Sequence, residues 1–190
     1  MLRVARDFLD VLLDTEEFFR QDRSPGQALG YFSFLSGLTL GASWLLLLAG
    51  ISPAVVVFER ILGPGQGYWL ALGFFLSGFA FLGLYAALLG RFLEVAFSRA
   101  FRVAAYGLTP ALVTLWIPFL GIVCLGWSLY LQAMGLSVLG KAGLRRNAIA
   151  CAKAGGIVIL LEAGFLLLVG VAILASGGRS LDLLWTIVVP

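Results

Sequence analysis

The sequence predicts an all-α integral membrane protein: a five-span helical bundle with the N-terminus inside, the C-terminus outside and an N-terminal amphipathic interfacial helix. Composition is the first reason. The 190 residues are 61% hydrophobic and 12% charged, whereas about 25% of the residues of soluble domains are charged. The second reason is that uncharged apolar stretches recur along the chain, and a helix needs roughly 20 apolar residues to cross a bilayer. Little length is left for a separate soluble domain.

Residues 1–23 are predicted to form a cytoplasmic amphipathic helix. Apolar side chains recur on one side of it at helical spacing, at Val4, Phe8, Val11 and Phe18, and charged residues occupy most of the rest. Such a helix lies in the membrane interface or packs beneath the bundle. It serves either as an anchor for the first span or as a docking surface for a partner. Its many acidic residues are not typical of a cleavable signal peptide.

Residues 24–178 are predicted to form the membrane domain. Ser24 and Pro25 are typical of a helix N-cap followed by the first helical position. The five spans are expected at about residues 29–50, 68–89, 103–118, 120–139 and 155–175. The first span carries small residues at every fourth position, at Ser33, Gly37 and Gly41. This stripe predicts close packing against another helix.

Residues 103–139 contain no charge and fit two spans joined by a turn near residues 118–121. Pro110 lies inside the first of this pair, where it removes a backbone hydrogen bond and kinks the helix. Two interpretations are open. The kink fits the helix to its neighbours, or it opens backbone groups toward a cavity, as broken helices do in transporters. Residues 179–190 are too short to cross and are predicted to form an outer interfacial tail.

The distribution of basic residues predicts the orientation. All Lys and Arg residues except Arg60 and Arg179 fall in the N-terminal segment and in the second and fourth gaps between spans, and the third gap holds no charge. Because cytoplasmic loops are enriched in Lys and Arg, the N-terminus is predicted to be cytoplasmic. The excess of Arg over Lys, with abundant Ala, Gly and Leu, hints at a GC-rich prokaryotic genome and therefore at the prokaryotic cytoplasmic (inner) membrane.

Three runs of residues resemble the prokaryotic branch of the Yip family, the Ypt-interacting polytopic membrane proteins. They are FRVAAYGLTP at 101–110, WSLY at 127–130 in the next span, and the basic loop GKAGLRRNA at 140–148. The segment 8–18 before the first span is also similar to the family's opening. The resemblance implies the same span count, order and N-in orientation over most of the chain.

Eukaryotic members of that family look like adaptors for Rab-type GTPases in vesicle traffic. Their acidic motif containing Tyr-Gly-Pro is missing from this sequence, and the Pro usual near the start of the family's opening segment is absent, with Asp14 and Thr15 standing in that region. The resemblance therefore does not imply GTPase binding for this chain. The resemblance predicts the fold rather than an activity.

Glu162 is the one formal charge well inside a predicted span. A carboxylate in the bilayer is costly, so it is by default a hypothesis for function, as a protonatable or ion-coordinating group. The alternative is structural: a hydrogen bond to Gln132 or Tyr130 of the preceding span, or to the juxtamembrane arginines. Near the membrane surface, Lys141, Arg145, Arg146 and Lys153 are candidates for binding anionic lipid headgroups. Their topological role alone would also explain them.

The sequence indicates no enzyme, cofactor or metal site. The chain has no His and only two cysteines, whose spacing is neither that of a disulfide framework nor that of a zinc site. It has no nucleophile–base pair or phosphate-binding loop, and no basic stripe for nucleic acid. The leading hypothesis is a scaffold, adaptor or accessory subunit that contacts membrane lipids and either a membrane-protein partner or further copies of itself. The alternatives are a small transporter or channel using Glu162 and Pro110, and a lipid-interacting membrane-shaping protein.

Overall fold

The computed structural model describes residues 2–21, 23–48, 66–114, 120–140 and 142–175, and their regular structure is entirely α-helical. The predicted all-α class is thus confirmed for this part of the chain. The predicted tail 179–190 and Lys141 lie outside the described residues. The helices are α1 (Leu2–Leu13), α2 (Thr15–Arg20), α3 (Pro25–Leu48), α4 (Gln66–Leu93), α5 (Phe97–Gly107), α6 (Thr109–Thr114), α7 (Leu120–Leu139) and α8 (Leu144–Ala175).

Helix α5 is at the centre of the bundle. It packs against α3, α4 and α7, and α8 packs against α4 and α7. Every residue of α5 from Arg102 to Gly107 is buried. The small side chains of Ala104 and Ala105, both fully buried, let the surrounding helices approach the α5 backbone closely.

Helices α1 and α2 fold onto one end of this bundle, and we call residues 2–23 the N-terminal cap. Phe18 and Phe19 of α2 are buried, and α2 packs against α7. The Phe18 ring meets Tyr106 of α5 edge to face, with centroids 4.8 Å apart. Of the two placements open for the predicted amphipathic helix, the structure therefore has it packed beneath the bundle.

The junctions between helices follow local rules. The predicted start of α3 is confirmed as a capping box, in which the Gln27 backbone N–H donates to Ser24 Oγ at 3.2 Å and the Ser24 N–H donates to Gln27 Oε1 at 3.3 Å. Helix α4 ends at Leu93, and the next residue, Glu94, has a φ of +54°. The next amide, of Val95, donates to the Gly90 carbonyl at 3.0 Å, which closes the last turn as in a Schellman motif.

Helix α8 begins well before the predicted span. It is helical from Leu144, 11 residues ahead of position 155 (155 − 144 = 11), so Arg145, Arg146 and Lys153 are part of the helix rather than of a gap. The Asn147 side chain helps to hold this first turn, because its Nδ2 donates to the Ala142 carbonyl at 3.2 Å and lies 3.4 Å from the Ala133 carbonyl of α7. Basic residues are good helix formers, so charge alone did not mark the helix boundary.

The close helix contacts are not where the small-residue stripe predicted them. A Cβ added at Gly37 or Gly41 would meet no atom within 4 Å among the described residues, and Ser33 instead donates to the Leu29 carbonyl of its own helix at 2.7 Å. The packing of Ser33, Gly37 and Gly41 against another helix therefore stays a prediction. The tight contacts are at Gly107, where a Cβ would lie 2.3 Å from Gln132 Cγ, and at Gly135, where it would lie 2.8 Å from the Phe19 ring.

Two stretches of the described helices are long and apolar enough to cross a membrane, Phe75–Leu93 in α4 and Leu144–Phe165 in α8, and Val123–Leu139 in α7 is a shorter apolar helix. Their outward faces are rich in exposed leucine, isoleucine and phenylalanine. Leu160, Leu167 and Leu168 of α8, for example, are each about 70% exposed. Such surfaces are typical of helices that face lipid.

Candidate functional site

Five buried polar side chains from α3, α4, α6 and α7 lie near α5, in the part of the bundle next to the N-terminal cap, and we call them the polar layer. They are Tyr31, Tyr85, Thr109, Ser128 and Gln132. Buried polar groups are stable only when they are hydrogen-bonded. The partners of each therefore decide whether the layer is a reactive site or a set of structural contacts.

Tyr85 joins three helices within this layer. Its hydroxyl donates to Gln132 Oε1 of α7 and lies 3.5 Å from the Cys151 carbonyl of α8. Gln132 is only 1% exposed. The Tyr85–Gln132 hydrogen bond therefore fixes the position of α4 relative to α7 along the bundle axis. Cys151 of α8 lies at the same level.

Thr109 and Tyr31 close the helix break next to Pro110. Pro110 has no N–H, so the carbonyl four residues earlier, that of Tyr106, loses its helical donor. The Thr109 hydroxyl donates to the Tyr106 carbonyl instead. Since a hydroxyl has one proton, the contact between Tyr31 and Thr109, at 3.0 Å, is made by the Tyr31 hydroxyl as donor.

Ser128 and Thr39 satisfy the other backbone groups around the break. The Ala111 amide donates to Ser128 Oγ of α7 at 3.1 Å. Thr39 of α3 donates to the Leu112 carbonyl at 2.6 Å. Side chains from the neighbouring helices thus occupy these backbone groups around Pro110. This arrangement favours the interpretation of Pro110 as a packing kink over that of an opening toward a cavity.

Replacing Tyr85 by Phe is expected to lower the free energy of unfolding by about 1–3 kcal/mol, because the buried oxygen of Gln132 loses its donor. The matched control is Tyr130→Phe, since Tyr130 is 53% exposed and no hydrogen bond of its hydroxyl is seen among the described residues. Chemical unfolding of the purified protein in detergent measures both. Equal stability of the two variants would contradict a structural role for the Tyr85 hydroxyl.

The structure does not bring Glu162 to Gln132 or Tyr130. In the antiparallel pair of α7 and α8, Gln132 lies level with Cys151, through Tyr85. Glu162 is 11 residues further along α8 (162 − 151 = 11), which is about 16 Å at 1.5 Å per residue. Within the described helices, Glu162 has no hydrogen-bond partner. The prediction that Gln132 and Glu162 share one depth was wrong, because α8 begins earlier than the sequence indicated.

The remaining candidates lie apart from the polar layer. Arg145, Arg146 and Lys153 are exposed on the first turns of α8, as a headgroup site requires. Pro110 is buried at the start of α6. Within the described residues, no group of three or more His, Cys, Asp or Glu side chains could hold a metal ion.

An ion pair that was not predicted from the sequence fastens the N-terminal cap. Arg23 Nη1 donates to Asp7 Oδ1 at 2.6 Å, with side chains only 12% and 9% exposed. The guanidinium carbon lies 4.3 Å from the centre of the Phe18 ring, and Arg102 of α5 donates to the Arg23 carbonyl at 2.8 Å. A signal was present: Asp7 is three residues after Val4 and four before Val11, which places it on the apolar face of α1.

An all-helical bundle with apolar outer faces and a hydrogen-bonded polar interior defines the class of helical membrane proteins. The family model described as the Yip1 domain matches residues 9–168. The chain belongs to this family of membrane proteins, and the predicted resemblance to the Yip family is confirmed. No curated protein matches the chain, and neither does any solved structure.

Proposed function

We propose that the protein is a non-enzymatic membrane protein that acts through protein contacts, as a scaffold, adaptor or accessory subunit of a membrane complex. The observation that carries this proposal is the use made of its buried polar groups. The hydroxyls of Tyr31, Tyr85, Thr109 and Ser128 all hold helices or helix ends together. Groups committed to such bonds are not free to bind a substrate. The outer faces and the N-terminal cap are therefore the surfaces available for binding a partner.

The N-terminal cap is the surface best suited to a partner outside the bilayer. It exposes Asp14, Glu16, Glu17, Arg20 and Gln21, which line a shallow open groove. The side chains below this surface, Phe18 and Phe19, fix it rigidly to the bundle. A charged surface on a rigid base supports selective recognition, because charge complementarity sets partner choice.

Purification of the tagged protein from its host membranes in mild detergent tests the proposal. We expect a membrane-protein partner at a constant stoichiometry. Gly135→Leu should displace Phe19 and reduce co-purification, whereas Gly78→Leu, where a Cβ meets nothing within 4 Å, should leave it unchanged. A homogeneous protein without a partner, together with uptake of a solute into vesicles, would replace the proposal by the transporter alternative.

The arrangement in the membrane that accompanies this proposal is five spans with the N-terminus in the prokaryotic cytoplasm. The spans are α3, α4, the broken helix α5–α6, α7 and α8. Four helix ends, those bearing Arg23, Arg91, Arg99 and Arg145, lie at the end of the bundle that carries the N-terminal cap. The positive-inside rule places this end in the cytoplasm.

Cysteine labelling in intact cells is expected to report that topology. Single cysteines at Ser98 and Gly143, which are exposed, should react only with reagents that reach the cytoplasm. Cysteines at Gln66 and Ser180 should react from outside. Both native cysteines are buried, so background labelling should be low. Reaction of the Gly143 and Gln66 positions from one side would contradict the five-span arrangement.

A further inference from the structure

Glu162 continues the inward face of α8. The residues before it on this face are Asn147, Cys151, Ala154 and Val158, spaced by three or four positions. Asn147, Cys151 and Ala154 are fully buried, whereas Val158 and Glu162 are only partly buried. The side of α8 that packs into the bundle therefore becomes uncovered as the helix reaches Glu162.

Among the described residues, α7 reaches little beyond the level of Glu162. Gln132 and Cys151 are level through Tyr85. Helix α7 begins at Leu120, 12 residues from Gln132 (132 − 120 = 12), which is about 18 Å. Glu162 is about 16 Å from Cys151 on the same scale. Helix α8 itself continues past this level to Ala175.

A carboxylate on such a face requires a partner. Ionisable groups inside a membrane pair with one another or with backbone groups, because the bilayer does not solvate them. Among the described residues nothing forms a hydrogen bond with Glu162. On the same face, three positions before and after it, Ile159 and Phe165 are each about half exposed. This face of α8 is therefore open beside Glu162 for a further helix.

We propose that this face of α8 binds a transmembrane helix of another membrane protein through a Lys or Arg that pairs with Glu162. The inference rests on the proposed function and names the chemistry of the partner. Charge complementarity decides the occupant. A second copy of this chain in a parallel pair would bring another carboxylate to the same depth, and like charges repel. A cationic helix supplies the missing charge.

The test uses the full chain in liposomes with synthetic polyleucine transmembrane helices, which carry one Lys at the depth of Glu162 or none. Energy transfer between labelled protein and peptide measures binding. We expect the Lys helix to bind about tenfold more tightly than the plain helix, a ratio typical of polar contacts between helices in lipid. Glu162→Gln should reduce this ratio several-fold, and Glu162→Lys should transfer the preference to a peptide with Glu. The control Glu17→Gln, exposed on the N-terminal cap, should keep it.

Two results would overturn the assignment. One is a wild-type protein without preference for the Lys helix, which means that the carboxyl is engaged within its own chain. The other is self-association that depends on Glu162 and outcompetes the Lys helix, which makes a second copy the occupant. A different result would contradict the proposed function itself. It would be a preserved preference for the Lys helix in a protein that has no partner in its host membranes.

Discussion

Replacing Arg23 by Met is expected to lower the free energy of unfolding by about 3–5 kcal/mol, the range for breaking a buried ion pair from one side. The buried Asp7 carboxyl, 9% exposed, would be left without its partner. The stacking of the guanidinium on Phe18 would also be lost. Removal of the long side chain would loosen the cap segment whose carbonyl accepts from Arg102. The expected result is a protein whose N-terminal cap separates from the bundle.

Unfolding in detergent, monitored by circular dichroism and by protease cleavage within the cap, checks this expectation. The matched control is Arg20→Met, because the Arg20–Glu16 pair is 68% and 55% exposed, and exposed pairs contribute about 1 kcal/mol or less. The double variant Asp7→Leu/Arg23→Met should regain most of the stability, since neither charge is then left alone. Equal losses at Arg20 and Arg23 would show that the cap does not depend on the buried pair.

Replacing Gly107 by Ala is expected to destabilise the protein by about 1–3 kcal/mol through overpacking. The new methyl group would lie 2.3 Å from Gln132 Cγ and 3.3 Å from its backbone. Gln132 cannot move aside without loss, because its amide oxygen accepts from Tyr85. One added methyl group would thus separate α5 from α7. The displacement of Gln132 would at the same time weaken the contact of α7 with α4.

The control for Gly107→Ala is Gly37→Ala in α3. Gly37 is inside α3, where Ala adds about 1 kcal/mol of helix propensity, and among the described residues nothing lies within 4 Å of the new atom. Gly107 is the last residue of α5, so its replacement gains less propensity and meets Gln132. Thermal unfolding in one detergent should therefore place Gly107→Ala below the wild type, and Gly37→Ala at or above it. A loss of stability at Gly37 would indicate that this face contacts another chain.

The sequence predicted the helical class, the family and the start of α3 because each depends on local signals. Composition identified the membrane class, and Ser24 with Pro25 marked a helix start. The position of one helix along its neighbour depends on contacts between residues that are far apart in the sequence, so local signals do not predict it. Helices α7 and α8 are apolar nearly all round, so no periodic pattern indicates which residues meet, and the pairing of Gln132 with Tyr85 was not visible.

The dependence on distant contacts also explains why the tightly packed glycine was not predicted. A stripe such as Gly37 and Gly41 is a recognisable pattern, whereas Gly107 is a single residue whose importance comes from Gln132, 25 residues away (132 − 107 = 25). The acidic residue Asp7 is a related case. Charged residues were predicted to lie away from the apolar side of the N-terminal helix, yet the helix turn places Asp7 inward, where it pairs with Arg23. Candidate residues could therefore be found from the sequence, but their partners could not.

The position of the N-terminal cap has a consequence for biosynthesis. Phe19 packs against Gly135, which is made 116 residues later (135 − 19 = 116). At about 5–20 residues per second, the ribosome needs roughly 6–23 s to span that distance. Throughout this interval Phe19 lacks its contact on α7, and we expect the lipid surface or a chaperone to cover it. The N-terminal cap is thus synthesised before α7 but reaches its final place only after α7 has been made.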